Sequence, residues 1–186
     1  LSALIAGITI QAQKYLGGDI SLLPTYRQNG TEYKDQDGKT TCPYKIFKQS
    51  GWNAMRVRLF VDPANAPQDN KDEGVCQDLP YVVSLCKQIK EHGFKLMLDF
   101  HYSDTWADPG KQFTPHAWAK AIEGKSRDEQ IRMLADSVYS HTRTALETLK
   151  KENAMPDFIQ VGNEITFGTL WPTGKVAPVK DDNWDT

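Results

Sequence analysis

Glu164 closes a short apolar stretch, Phe158-Ile159-Gln160-Val161-Gly162-Asn163-Glu164, and Asn163 stands directly before it. A carboxyl group at the carboxyl end of a buried parallel strand is placed to give a proton to a leaving oxygen. It must then keep that proton above the ordinary glutamate pKa of about 4.3. Burial and a neighbouring carboxylate both act in that direction. Asn163 can hydrogen-bond a substrate hydroxyl without titrating. A two-carboxylate mechanism needs a second such group, and the sequence after Glu164 supplies no convincing candidate.

Two earlier extended stretches also end in polar residues. Ala54–Val61 carries Arg58, and Lys95–Phe100 carries Asp99 and runs straight into His101. In a barrel of parallel strands that end is the active face, whatever the chemistry. Each residue has a plainer reading beside the functional one. His101 can be a histidine packed at a strand end, and Glu164 can form a salt bridge to Arg58 across the barrel mouth. The second is compatible with catalysis, since an arginine can orient a carboxylate. Trp106 and Trp171, flanked by Asp, Pro and Gly, suit ligand contact, because sugar rings present C–H faces to aromatic planes. Trp118 and Trp52 read as packing residues.

Other chemistries lack their spacing. No HxH or HExxH run accompanies His101 and Asp104, so a catalytic metal is not expected. No GxSxG elbow supports a serine hydrolase. No GxGxxG or Walker loop follows a strand, which disfavours a nucleotide fold.

The elements that must position these residues alternate between extended and helical patterns. Strands are expected at Ile20–Leu23, Ala54–Val61, Lys95–Phe100 and from Phe158. Helices are expected over about Pro43–Gln49, Leu79–Glu91 and Asp128–Lys151, the last with Ile131, Leu134, Val138, Thr142, Ala145 and Leu149 as its inner stripe. Gly51 and Gly93 serve as helix breakers. This β-α-β-α-β-α-β run implies an α/β domain with a parallel sheet.

The 22 basic and 24 acidic residues leave a net charge of −2 with no basic stripe, which argues against nucleic acid or an anionic membrane as partner. Leu1–Ala12 is apolar, uncharged and ends in a small residue, as the tail of a signal peptide does. Export is therefore expected, with cleavage after Ala12 leaving residues 13–186 as part of the folded domain. That stretch is too short to span a bilayer. The odd cysteine count, Cys42, Cys76 and Cys86, makes no disulfide framework. Cys86 sits on an apolar helix stripe, and pairing of Cys42 with Cys76 stays open.

The stretches Gly17-Gly18-Asp19-Ile20-Ser21, Arg56–Pro63, Leu98–Gln112, Val161-Gly162-Asn163-Glu164 and Leu170-Trp171-Pro172 resemble, in order, glycoside hydrolase family 53. These are the endo-β-1,4-galactanases acting on type I arabinogalactan, the galactan side chains of pectin. The resemblance implies a (β/α)8 TIM barrel, of which this chain holds about the first four βα units. It implies two catalytic glutamates, at the ends of strands four and seven. Glu164 matches the acid/base, Asn163 the residue contacting the sugar beside the cleaved bond, and Arg58 and His101 the polar residues of strands two and three. Trp106 matches a sugar platform, and Asp19 lies in the first-strand motif. Asp99 and Trp171 complete the expected substrate-binding set.

The nucleophile is expected beyond this chain, leaving the fragment itself inactive and prone to aggregate. No cofactor is required for the chemistry, while calcium belongs to later loops of some relatives. The full-length protein is expected to be a monomer. A non-catalytic galactan-binding protein and another β-glycanase, such as a mannanase, stand as alternatives.

Overall fold

A computed structural model of the chain describes residues 14–176, so the expected leader, residues 1–12, lies outside the described residues. In chain order the elements are β1 (Gly17–Asp19), α1 (Leu23–Gln28), α2 (Pro43–Gln49), β2 (Ala54–Leu59), a 3-10 turn (Pro63–Asn65), α3 (Gln68–Asp72) and α4 (Leu79–Glu91). Then follow β3 (Lys95–Phe100), α5 (His116–Ala121), α6 (Arg127–Lys151) and β4 (Phe158–Val161). The sheet runs β1-β2-β3-β4 with every neighbouring pair parallel. A doubly wound sheet reverses its strand order at a switch point. This one advances by one strand at each crossover, as the wall of a (β/α)8 barrel does.

The helices form where their ends are capped and one face is apolar. Asp78 caps α4 by accepting the Tyr81 N–H at 2.9 Å, and Gly93, at φ 72°, takes the left-handed turn beyond its end. Val82, Leu85, Cys86 and Ile89 form the buried stripe between those ends, and burial pushes the Cys86 thiol up to about 12. Ser126 and Glu129 close a reciprocal capping box at the start of α6. Of its expected inner stripe, Leu134, Ala145 and Leu149 are buried, while Ile131, Val138 and Thr142 are half-buried. Trp52 and Trp118 pack against the main core as expected. The thiols are free, with Cys42 Sγ 3.8 Å from His92 Nε2 and Cys76 Sγ 3.6 Å from Thr25 Oγ1, so the two do not pair.

The first strand departs from expectation. Ile20–Leu23 is not extended; β1 is Gly17–Asp19, and Leu23 already opens α1. Pro24 lies in the first turn of that helix, where a missing N–H costs nothing. The glycine pair is part of the strand because β2 presses on it. A Cβ on Gly17 would fall 1.8 Å from the Ala54 carbonyl oxygen.

Alternation along β2 and β3 separates two faces. Met55, Val57, Leu59, Leu96, Leu98 and Phe100 are buried, and α4 packs on both strands. The opposite face is layered by register. Asp19, Arg56, Met97 and Phe158 stand at one level, with Arg58, Asp99 and Gln160 at the next. The second level lies nearer the carboxyl ends, so charge accumulates where the barrel mouth opens. On the helix side of β4, Ile159 and Val161 remain 41% and 63% exposed. Val161 borders an apolar groove of about 730 Å³ shared with α6 and Leu170.

At the opposite end of the strands, Asp157 fastens β3 to β4. It accepts from Lys95 at 2.7 Å, Lys90 at 2.8 Å and the Leu96 N–H at 2.9 Å. Burial opposes its charge, but these hydrogen bonds outweigh it and hold the carboxyl at about 2. The folded pKa is thus below the unfolded value of about 3.9. The stabilisation is complete above that unfolded value and is lost as pH falls through about 2. Urea midpoints of the intact protein and its Asp157→Asn variant should therefore differ at pH 6, draw together as pH falls, and converge only below about pH 2. A gap that persists unchanged at acid pH would contradict the assignment.

Candidate active site

One β2 side chain ties the strand ends together. Arg56 donates through Nη1 to Asp19 Oδ2 at 2.8 Å, and through Nη2 to Asp99 Oδ2 and to Asn163 Oδ1, the latter at 2.7 Å. A planar guanidinium with five N–H groups can serve several acceptors at once, which a lysine ammonium does less well. Asp99 is fully buried, so its charge depends on this arginine. It reaches the cleft through Arg56 rather than by itself.

Arg58, two residues on and therefore on the same face, donates to Asp19 Oδ1 at 2.9 Å. Its N–H and Nε both reach Ser21 Oγ, and its guanidinium lies 4.5 Å from the Trp106 ring centre. Burial works against the Asp19 charge, but the Arg58 hydrogen bond and charge outweigh it and hold Asp19 below its ordinary range. The salt bridge from Arg58 to Glu164 does not form. Asp19 lies nearer to Arg58 and holds the charge that would have met it.

His101 is 2% exposed, and its Nδ1 accepts the Ala107 N–H at 3.0 Å. The ring proton is thereby assigned to Nε2, which lies 3.2 Å from Asp99 Oδ2 without forming a hydrogen bond. Its ring meets Phe60 edge-on, as does Trp106, so His101 packs at the strand end as one reading expected, beside the Asp99–Arg56 pair. Asp104 is spent on structure. Its oxygens accept the Asp62 and His116 N–H groups at 3.0 and 2.7 Å, while burial pushes its carboxyl up.

Beyond β4 the chain turns sharply. Gly162 has φ 84° and Glu164 φ 50°, a left-handed conformation uncommon for a residue with a side chain. Asn163 is fixed on both amide atoms, its Nδ2 donating to Ala107 O at 2.7 Å. The Glu164 side chain is exposed and makes no hydrogen bond or ion pair among the described residues. Trp171, half-buried, donates its backbone N–H to Gln112 O at 2.7 Å and its indole N–H to Phe167 O at 3.1 Å. The expected residues thus join into one network, with Glu164 attached through its backbone.

Three members were not anticipated: Arg56, Ser21 and Gln112. Arg56 was visible as the second arginine on one face of an otherwise apolar strand. Gln112 is buried at 2% and donates to the Asn163 carbonyl from 51 positions away, a contact that only loop folding creates. Among the described residues, no three His, Cys, Asp or Glu side chains gather as a metal site.

A barrel wall with an Asn-Glu pair after its fourth strand and arginine-held acids on the preceding ones is the plan of a (β/α)8 glycoside hydrolase. Residues 15–186 match the model of glycosyl hydrolase family 53. A probable arabinogalactan endo-β-1,4-galactanase A of Aspergillus terreus is 36% identical over 88% of this chain and 42% of its own length. An arabinogalactan endo-β-1,4-galactanase of Cellvibrio japonicus is likewise 36% identical, over 88% of this chain and 39% of its own. A solved structure described among two fungal β-1,4-galactanases superposes with a TM-score of 0.75 at 32% identity, covering 89% of this chain and 45% of that one. The chain belongs to glycosyl hydrolase family 53, and it spans less than half the length of these relatives.

Removing Arg56 leaves the Asp99 charge buried without its partner. Arg56→Met in the intact protein is expected to lower unfolding free energy by about 3–5 kcal/mol. Adding Asp99→Asn should restore part of that loss in a double-mutant cycle. Strictly additive effects would contradict the coupling.

Proposed function

We propose that the full-length protein is an exported endo-β-1,4-galactanase that cleaves the galactan of type I arabinogalactan with retention of configuration. The observation that carries this reading is the Asn163-Glu164 turn. It sits at the carboxyl end of the fourth parallel strand, beside the Arg56 network, in a chain of family 53.

In this mechanism Glu164 protonates the departing glycosidic oxygen. A second carboxylate, about 5–5.5 Å away, attacks the anomeric carbon to form a glycosyl-enzyme. Glu164 then takes a proton from the water that releases the sugar. The reading assigns the nucleophile to the length of the relatives that these residues do not span. Asn163, aimed by Arg56 and the Ala107 carbonyl, keeps a second amide N–H for a sugar hydroxyl. Trp106, with Arg58 over its ring, and Trp171 form aromatic walls for a neutral polysaccharide. The names of the relatives support galactan over other β-glycans.

In the full-length enzyme, Glu164→Gln is expected to reduce galactan hydrolysis by about 10²–10⁴-fold, the range of a lost general acid. Galactan should also be cleaved in strong preference to mannan. Wild-type galactan turnover in the Glu164→Gln enzyme would refute the donor assignment, and equal turnover of mannan would refute the substrate.

A further inference from the structure

We propose that Gln112 is a positioning residue for Glu164, fixing from the β3 loop the backbone conformation that aims the carboxyl group. The inference rests on Glu164 acting as proton donor, as proposed above.

The Gln112 side-chain amide nitrogen faces three carbonyl oxygens: Asn163 at 2.7 Å, Asp108 at 3.2 Å and Glu164 at 3.3 Å. Three acceptors around one atom settle the amide orientation, because an oxygen there would meet only other oxygens. The Asn163 carbonyl belongs to the peptide plane before the Glu164 Cα, and the Glu164 carbonyl belongs to the plane after it. Peptide planes are rigid, so the relation between two of them is the φ and ψ of the residue between. One amide that grips both therefore sets the Glu164 backbone and the direction of its Cβ.

That grip has something to oppose. Glu164 is left-handed at φ 50°, a conformation in which the Cβ of an L-residue crowds the neighbouring carbonyl oxygen. The bend before Glu164 is made by Gly162 at φ 84°, where a Cβ would fall 2.6 Å from Ile165 Cγ2, so only glycine fits that position. The Glu164 side chain makes no hydrogen bond or ion pair among the described residues, so the backbone is what aims it.

Gln112 is itself held. Its carbonyl accepts the Trp171 N–H at 2.7 Å, and reciprocal Asp108–Lys111 backbone bonds of 2.9 and 3.0 Å form the turn before it. With 2% exposure, the amide does not exchange these partners for bulk water.

The test separates aim from stability by using leaving groups. Galactan needs its glycosidic oxygen protonated, whereas a dinitrophenolate leaves without a proton. For Gln112→Met in the full-length enzyme, kcat/KM on galactan is expected to fall about tenfold or more, the scale of a misplaced catalytic group. On dinitrophenyl β-galactobioside it should stay within about threefold of wild type, since no acid catalysis is lost there. A thermal melt establishes that the variant is folded. Equal losses on both substrates, or none on either, would overturn the proposal.

Glu164→Gln, measured alongside, should show the same leaving-group dependence. Its absence there means that the donor assignment fails and this inference fails with it. Its presence there but not in Gln112→Met overturns the positioning role alone. If the methionine variant does not fold, Gln112→Asn keeps the amide and shortens its reach. Unchanged substrate discrimination in folded Gln112→Asn would equally overturn the proposal.

Discussion

The site depends on the Arg56 guanidinium, which holds Asp19 of the first strand, Asp99 of the third and Asn163 beyond the fourth. Parallel strands give backbone hydrogen bonds between neighbours but leave their carboxyl ends as separate loops. A charge-assisted link across four of them couples those loops into one surface. The cost of burying Asp99 makes the link hard to exchange, because that carboxylate has no water to fall back on. Arg58 repeats the device one level higher, joining Asp19 to the Trp106 wall. The same ionic layer thus organises both the Asn163-Glu164 turn and the aromatic border.

Around this layer, the two groups that would face a substrate are held by different means. Asn163 is fixed through its side chain, which uses both amide atoms on protein partners. Glu164 is fixed through its main chain and leaves its carboxyl exposed. This division suits a proton donor. A carboxyl group that must both give and accept a proton works best when no permanent ion pair holds it charged. The backbone strain at Glu164 and at Tyr102, φ 49°, falls at the ends of adjacent strands. Such strain often accompanies functional sites.

Much of this was legible in the sequence, and what was not has identifiable physical causes. α4 and β3 occupy their expected limits because each carries its own signals: a capping aspartate and trailing glycine for one, a short apolar run for the other. β1 was misplaced because three residues with two glycines have no hydrophobic pattern; its strand state is imposed by β2. Glu164, Asn163, His101 and Asp99 could be placed because strand ends are readable. Arg58 was expected to lead on β2, yet Arg56 is the hub, since partner choice depends on the depth at which neighbouring acids lie. Gln112 carried no local signal. Its partners are loop carbonyls, and the backbone at such positions is invisible to residue type.

The most direct test of the account is a crystal structure of the full-length enzyme with a β-1,4-galactan oligosaccharide bound across the cleavage point. The account predicts a Glu164 carboxyl oxygen within about 3.2 Å of the glycosidic oxygen. It also predicts a second carboxyl group about 5–5.5 Å from the first, on the other side of the anomeric carbon. A different carboxyl group at the glycosidic oxygen, with Glu164 turned away from the sugar, would contradict it.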